Sequence, residues 1–247
     1  MNTPEQPDGP APTAELMPTG AAIRARPAWG LAILAAIVAG VASWGIVEGV
    51  LTAYAASFEP TTKPYPSAAD TVRITRARIV SGTIGYGMTG ALVGLTLGLA
   101  GGASRKSGVA ALKGGLAGLV VGGLAEAGAA FGGLSFLYNS MDFQADEMLQ
   151  TLLSHEALWV VVGLAGGLAF GVGRGGLARA AVGGLIGAAI ATCAYEFLGA
   201  LAFPNDGTHQ PYGDTPITRG LAQVLIPLGT ALGAAASSIA TGKRVKA

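Results

Sequence analysis

The sequence predicts an all-α integral membrane protein, a six-helix transmembrane bundle with glycine-striped helix packing and a parallel internal hairpin repeat. Three observations carry that prediction. Six Gly/Ala/Leu runs, each about a bilayer thick, occupy most of the chain, and a span needs about 20 mostly apolar residues. Only 12% of the 247 residues are charged, with a mean hydropathy of +0.53, whereas soluble domains carry about 25%. Forty glycines recur inside the apolar runs at helical spacing. Lipid offers no partner to backbone N–H and C=O groups, so the runs are helices or barrel strands. They are too long for strands and lack an alternating pattern, which leaves helices.

Residues 1–27 are rich in proline and poor in large apolar side chains, and read as a disordered cytoplasmic tail. Arg24 and Arg26 precede the first run, 29–53. Ala53-Tyr54-Ala55 has the form of a leader cleavage site after a basic region. The run is longer than a signal core of about 7–15 residues and contains Glu48, which favours an uncleaved first helix. The remaining spans are 79–103, 109–137, 157–174, 178–203 and 217–241, so the membrane domain covers 28–242 and a basic tail 243–247.

Basic residues orient the spans. Arg24, Arg26, Arg105, Lys106, Lys113, Arg174, Arg179, Lys243, Arg244 and Lys246 fall on one side, which the positive-inside rule makes cytoplasmic. The expected location is therefore the cell (cytoplasmic or inner) membrane, multi-pass, with both termini cytoplasmic. Arg73, Arg76 and Arg78 lie on the other side. A helix starting near Ser67 or Asp70 accounts for them: Ser67-Ala-Ala-Asp70 is a capping pattern, and the arginines then reach headgroup level. The acidic outer string Asp142, Asp146 and Glu147 reads as a solvated face.

A shift of 69 residues superposes two hairpins, with 13 of 29 positions identical between 90–118 and 159–187. Gly94, Gly98, Gly102, Arg105, Gly114 and Gly118 fall on Gly163, Gly167, Gly171, Arg174, Gly183 and Gly187. Two-span units keep their orientation, so an axis along the membrane normal relates them, as in some transporters. The sixth span resembles the first helix of a unit and the first span the second, which suggests a third hairpin split between the termini.

Glycines four apart give a helix a flat face on which another backbone can lie. Such faces are Gly90, Gly94, Gly98 and Gly102; Gly114, Gly118 and Gly122; Gly163, Gly167 and Gly171; and Gly183 and Gly187. Static packing is the simpler reading of these stripes, ahead of a pore or a sliding contact.

The chemistry-bearing candidates are Glu48, Glu126 and Glu196, one in each odd-numbered span, with Tyr195 beside the last. An acid at the centre of a span costs about 2.5–3.5 kcal/mol on insertion scales and is by default a proton or cation site. Each continues a small-residue stripe and so faces the bundle. The pair His155-Glu156 reads as an interfacial charge pair, and Gln223 with Pro227 as a kink. No cofactor, metal site or catalytic residue is expected: one cysteine and two histidines make a soft-metal site improbable, and there is no nucleophile with its base. Gly82-Thr-Ile-Gly85-Tyr-Gly87 follows no strand and is no phosphate loop. Net charge of +1 gives no reason to expect nucleic acid. Partners reduce to the lipid bilayer, with a homo-oligomer or membrane-complex partner open. The function expected is a transporter or channel-like protein for an ion or small solute, the alternative a non-transporting accessory or assembly subunit.

Overall fold

A computed structural model describes residues 19–61, 65–140, 148–208 and 210–239. The acidic string Asp142, Asp146 and Glu147 and the basic tail 243–247 lie outside them. The described residues form six helices and no strand: α1 (Thr19–Phe58), α2 (Ala68–Ser104), α3 (Gly108–Ser140), α4 (Met148–Arg174), α5 (Leu177–Ala202) and α6 (Pro216–Ile239). Each is long and apolar enough to cross a bilayer, so the chain is a polytopic membrane protein. Helix α1 takes in 19–27, which composition had assigned to the tail; Ala21-Ala22-Ile23-Arg24-Ala25-Arg26 is good helix-forming sequence and extends the span backwards.

Helix α2 begins where its cap lies. The Ser67 side chain accepts from the Asp70 amide and the Asp70 carboxylate accepts from the Ser67 amide. Its 37 residues are about 55 Å long at 1.5 Å per residue, more than a bilayer needs. The extra turns pack against the end of α1. The Arg73 guanidinium donates to Ser57 O at 2.8 Å and to Glu59 O, and reaches Asp70 at 3.2 Å. It caps carbonyls left open at the end of α1. Arg78 lies 5.8 Å from the Tyr138 ring centre, over its face.

Every helix packs on its sequence neighbours, and α1 closes the ring on α6. The even helices also touch one another, so α2, α4 and α6 form an inner triangle. Each odd helix then lies in the groove between two even ones: α1 between α6 and α2, α3 between α2 and α4, α5 between α4 and α6. Burial follows this order, from 67% of an 18-residue apolar stretch of α2 to 22% of one of α3. The triangle's axis is filled: Val93, Leu97 and Thr230 meet at Gly166, and Thr89 donates to Gln223 at 3.1 Å.

Backbone meets backbone at the glycines. Gly90, Gly94 and Gly98 lie against Gly122, Gly118 and Gly114 in antiparallel register, and a Cβ on any of them would strike the partner's carbonyl. Such contact gives dispersion and Cα–H···O attraction where lipid supplies no hydrophobic drive. The fifth helix divides its small residues between two neighbours. Gly184 and Ala188 lie on Gly163 of α4, whereas Gly183 and Gly187 lie on Gly233 and Gly229 of α6. Gly183 and Gly187 thus serve a different neighbour from Gly114 and Gly118. The Gln223 carbonyl, freed by Pro227 four residues on, is covered by α1: a methyl on Gly40 would lie 2.5 Å from it.

Candidate functional site: a polar layer at the α5–α6 end

The polar side chains gather at one level, near the ends of the helices joined by the α5–α6 connection. On the even helices this level is set by spacing. Tyr86, His155 and Arg219 stand eleven residues before Leu97, Gly166 and Thr230, the residues that meet on the axis. Eleven residues are close to three helical turns, so all three side chains start from the axial face.

Residues 210–214 lie across this level and take a hydrogen bond from each of the three. Tyr86 Oη donates to Pro211 O at 2.6 Å. His155 Nε2 lies 2.9 Å from Gln210 O. Arg219 Nη1 donates to Gly213 O at 2.8 Å and to Asp214 O at 3.0 Å. Tyr212 fills the remaining gap. Its ring lies 4.7 Å from that of Tyr86, its hydroxyl donates to Gly82 O at 3.2 Å, and Gly85 leaves room for it. Behind Tyr86, Trp159 stands edge-on at 5.1 Å. An irregular segment set among membrane helices is tolerated where protein covers it and its polar groups are bonded.

The odd helices supply the three acids, and the structure treats them differently. Glu48 on α1 is bound by Arg219 through two parallel bonds, Nε–Oε1 at 2.6 Å and Nη2–Oε2 at 2.8 Å, a bidentate pairing with strong geometry. Glu196 on α5 is bonded to His155 Nδ1. This corrects the expectation that His155 pairs with Glu156: the imidazole crosses to α5, while Glu156 accepts from Cys193 Sγ at 3.5 Å. Glu126 on α3 is fully buried, and neither carboxyl oxygen has a hydrogen-bond partner among the described residues. Its Cβ lies against Gly90, one turn from Tyr86. Tyr195 is buried beside the imidazole, ring centres 5.9 Å apart, with its hydroxyl close to Gly213.

Glu48, Glu126, Glu196 and Tyr195 therefore share one level, but they are three separate settings around the ring. No group of three or more His, Cys, Asp or Glu side chains is placed to hold a metal ion among the described residues. Beside the connection, a crevice of about 260 Å³ opens, lined by Arg78, Ser81, Tyr138, Tyr212, Asp214 and Arg219, among others. Tyr212 thus lines the crevice and at the same time packs on the α2 face near Glu126.

Sequence reasoning passed over Arg219, Tyr86 and the insertion of 210–214. A signal for Tyr86 was present: the 69-residue shift that aligns the glycines also sets Tyr86 on His155. No family model matches the chain, and neither does a curated protein or a solved structure.

Proposed function

We propose that this multi-pass protein is a small transporter or channel-like protein for an ion or small solute, non-enzymatic, with Glu126 as its proton- or cation-binding group. One observation carries the reading. Of three acids at one level, two are matched to a base and one is buried with both oxygens unbonded. An unpaired carboxylate in a span is costly enough that the group holds a proton or a cation. Glu48 and Glu196 serve in this reading as partners of the bases that hold 210–214.

The wider reading places the chain in the cell membrane with both termini cytoplasmic. Its support is the charge pattern: Arg105, Lys106, Lys113, Arg174 and Arg179 all lie at or near the α2–α3 and α4–α5 turns. We also infer descent from repeated hairpins, α2–α3, α4–α5 and the split pair α6–α1. Supporting it are the 69-residue shift, the alternation of inner and outer helices, and the recurrence in each unit of a polar side chain on the inner helix (Tyr86, His155 or Arg219) and a glutamate on the outer one. Close glycine packing belongs to the same reading, as the means by which hairpins without bulky side chains hold together.

The test is flux. Purified protein in liposomes is expected to move H⁺, Na⁺ or K⁺ down an imposed gradient, with Glu126→Gln reducing the rate at least about tenfold. Unchanged flux in that variant sinks the proposal.

A second reading has its own observation. The axis is packed with side chains, and α3 turns Leu116, Val120, Leu124 and Phe131 outward. An accessory or assembly subunit would use such a face on a partner. It predicts stoichiometric co-purification with another membrane protein and no effect of Glu126→Gln.

A further inference from the structure

The His155–Glu196–Gln210 geometry sets a minimum proton count. A carbonyl oxygen only accepts, so the contact between His155 Nε2 and Gln210 O at 2.9 Å requires a hydrogen on Nε2. The Nδ1 atom of the same ring meets Glu196 Oε1, so a second proton lies between these two atoms. Imidazolium with carboxylate and imidazole with carboxylic acid are the same count: two protons on the pair, net charge zero. Both contacts exist together only while the pair holds at least these two protons.

We propose that His155 and Glu196 form a shared-proton site that seats residues 210–214 on the bundle, so that loss of one proton unseats them. Removing one proton leaves a neutral imidazole beside a carboxylate. The remaining ring hydrogen then has two claimants. A bond to a carboxylate is about twice as strong as one to a neutral carbonyl, and a buried carboxylate without a donor is the costlier loss. The hydrogen goes to Nδ1, and the Nε2 lone pair faces the lone pairs of Gln210 O. Attraction becomes repulsion at the point where the segment rests on α4. The histidine is 1% exposed, which leaves little room to turn away.

Other groups around the imidazole do not supply a substitute proton. From α5 come Glu196 and Tyr195, whose phenol stands edge-on. On α4 the next residue is Glu156, already accepting from Cys193. Arg219 of α6 is committed to Glu48 and to the carbonyls of Gly213 and Asp214. Helix α2 contributes Tyr86, which gives its hydrogen to Pro211 O. Within 206–214 the acids are Asp206 and Asp214. Because Arg219 and Tyr86 keep their bonds, unseating starts at Gln210 and moves towards Tyr212, the ring beside the crevice.

The inference does not depend on Glu126 or on transport, and the experiment keeps the two apart. Hydrogen exchange is measured on the full chain in lipid nanodiscs from pH 5.5 to 9, each amide referred to its intrinsic rate at that pH. His209→Gln is carried throughout, so that His155 is the one histidine in the chain. Protection in 210–215 is expected to fall about tenfold as the pH rises, while α2 and α4 amides hold. Glu196→Gln separates the proposal from simple packing. A glutamine amide donates to Nδ1 and leaves the hydrogen on Nε2, so the segment stays protected and its pH dependence disappears. Glu126→Gln leaves the profile unchanged. Protection that is flat with pH in the parent protein overturns the proposal. So does a Glu196→Gln variant that exchanges fast at every pH, or one that keeps the parent's profile.

Discussion

The α2–α3 and α4–α5 hairpins differ most where they are most alike. Both set a polar side chain of the inner helix beneath the α5–α6 connection, Tyr86 in one and His155 in the other, and both bond a neighbouring carbonyl, Pro211 or Gln210. Both carry a glutamate on the outer helix at that level. In α4–α5 the base and acid are bonded, and in α2–α3 the phenol turns to the connection and leaves Glu126 alone. A base in one hairpin and a phenol in the other accompany a matched and an unmatched acid, and the acids themselves are one residue out of register, because the 69-residue shift sets Glu126 on Tyr195 beside Glu196. Pairing, more than depth or stripe position, distinguishes a structural carboxylate from a candidate functional one.

The largest effect expected from testing this comparison lies in how each hairpin closes. In α2–α3 reciprocal glycines meet, and a Cβ on Gly118 would strike the Gly94 carbonyl and backbone, which cannot move aside. Gly118→Ala is expected to destabilise by about 3 kcal/mol, the upper end for overpacking, read from thermal or denaturant unfolding in detergent. Gly128→Ala, on the same helix with nothing within 4 Å, is expected to change stability by less than about 0.5 kcal/mol. Equal effects at the two sites would mean that the hairpin does not close through its glycines.

Much of the architecture was legible because membrane helices announce themselves by composition. The spans follow from long apolar runs, the start of α2 from Ser67 and Asp70, and the level of the acids from counting along helices. The pairings were not legible. Arg219 and Glu48 are 171 residues apart, and Arg219 sits at the edge of an apolar run, where a sequence shows only an interfacial charge. His155 stands next to Glu156 in sequence, but adjacent residues on a helix point about 100° apart, so the nearer acid in sequence is not its partner. The connection carries two turn-forming strings, Pro204-Asn205-Asp206-Gly207 and Gln210-Pro211-Tyr212-Gly213-Asp214, and such strings imply an exposed loop. Three donors on the inner helices draw it into the bundle.

The next effect concerns Glu126. If its carboxyl is unmatched, removing it relieves the protein: Glu126→Leu is expected to raise stability by about 1–3 kcal/mol, the cost of a buried polar group without a hydrogen bond. The matched acid behaves oppositely. Glu48→Leu strands the Arg219 guanidinium and is expected to destabilise by about 1–3 kcal/mol, reduced from the fully buried case because the pair is part-exposed. The signs of the two changes, measured by unfolding under one condition, test the distinction directly. Two losses would return Glu126 to the structural group.

The smallest effect bears most closely on the likeness of the hairpins. Tyr86→Phe removes one hydrogen bond to Pro211 O and keeps the ring packing against Trp159 and Tyr212, so about 1 kcal/mol is expected. Tyr86→His asks for more, because it gives α2–α3 the base that α4–α5 has. It loses ring contact, but it brings an imidazole to the helix face one turn from Glu126. A double-mutant cycle with Glu126→Gln is then expected to show a favourable coupling of about 1 kcal/mol in the Tyr86→His background, with none between Tyr86→Phe and Glu126→Gln. A coupling that appears only with the base means that the two hairpins hold the same site and that α2–α3 lacks its partner. No coupling in either background means that Glu126 faces away from the Tyr86 position, and the likeness stops at the backbone.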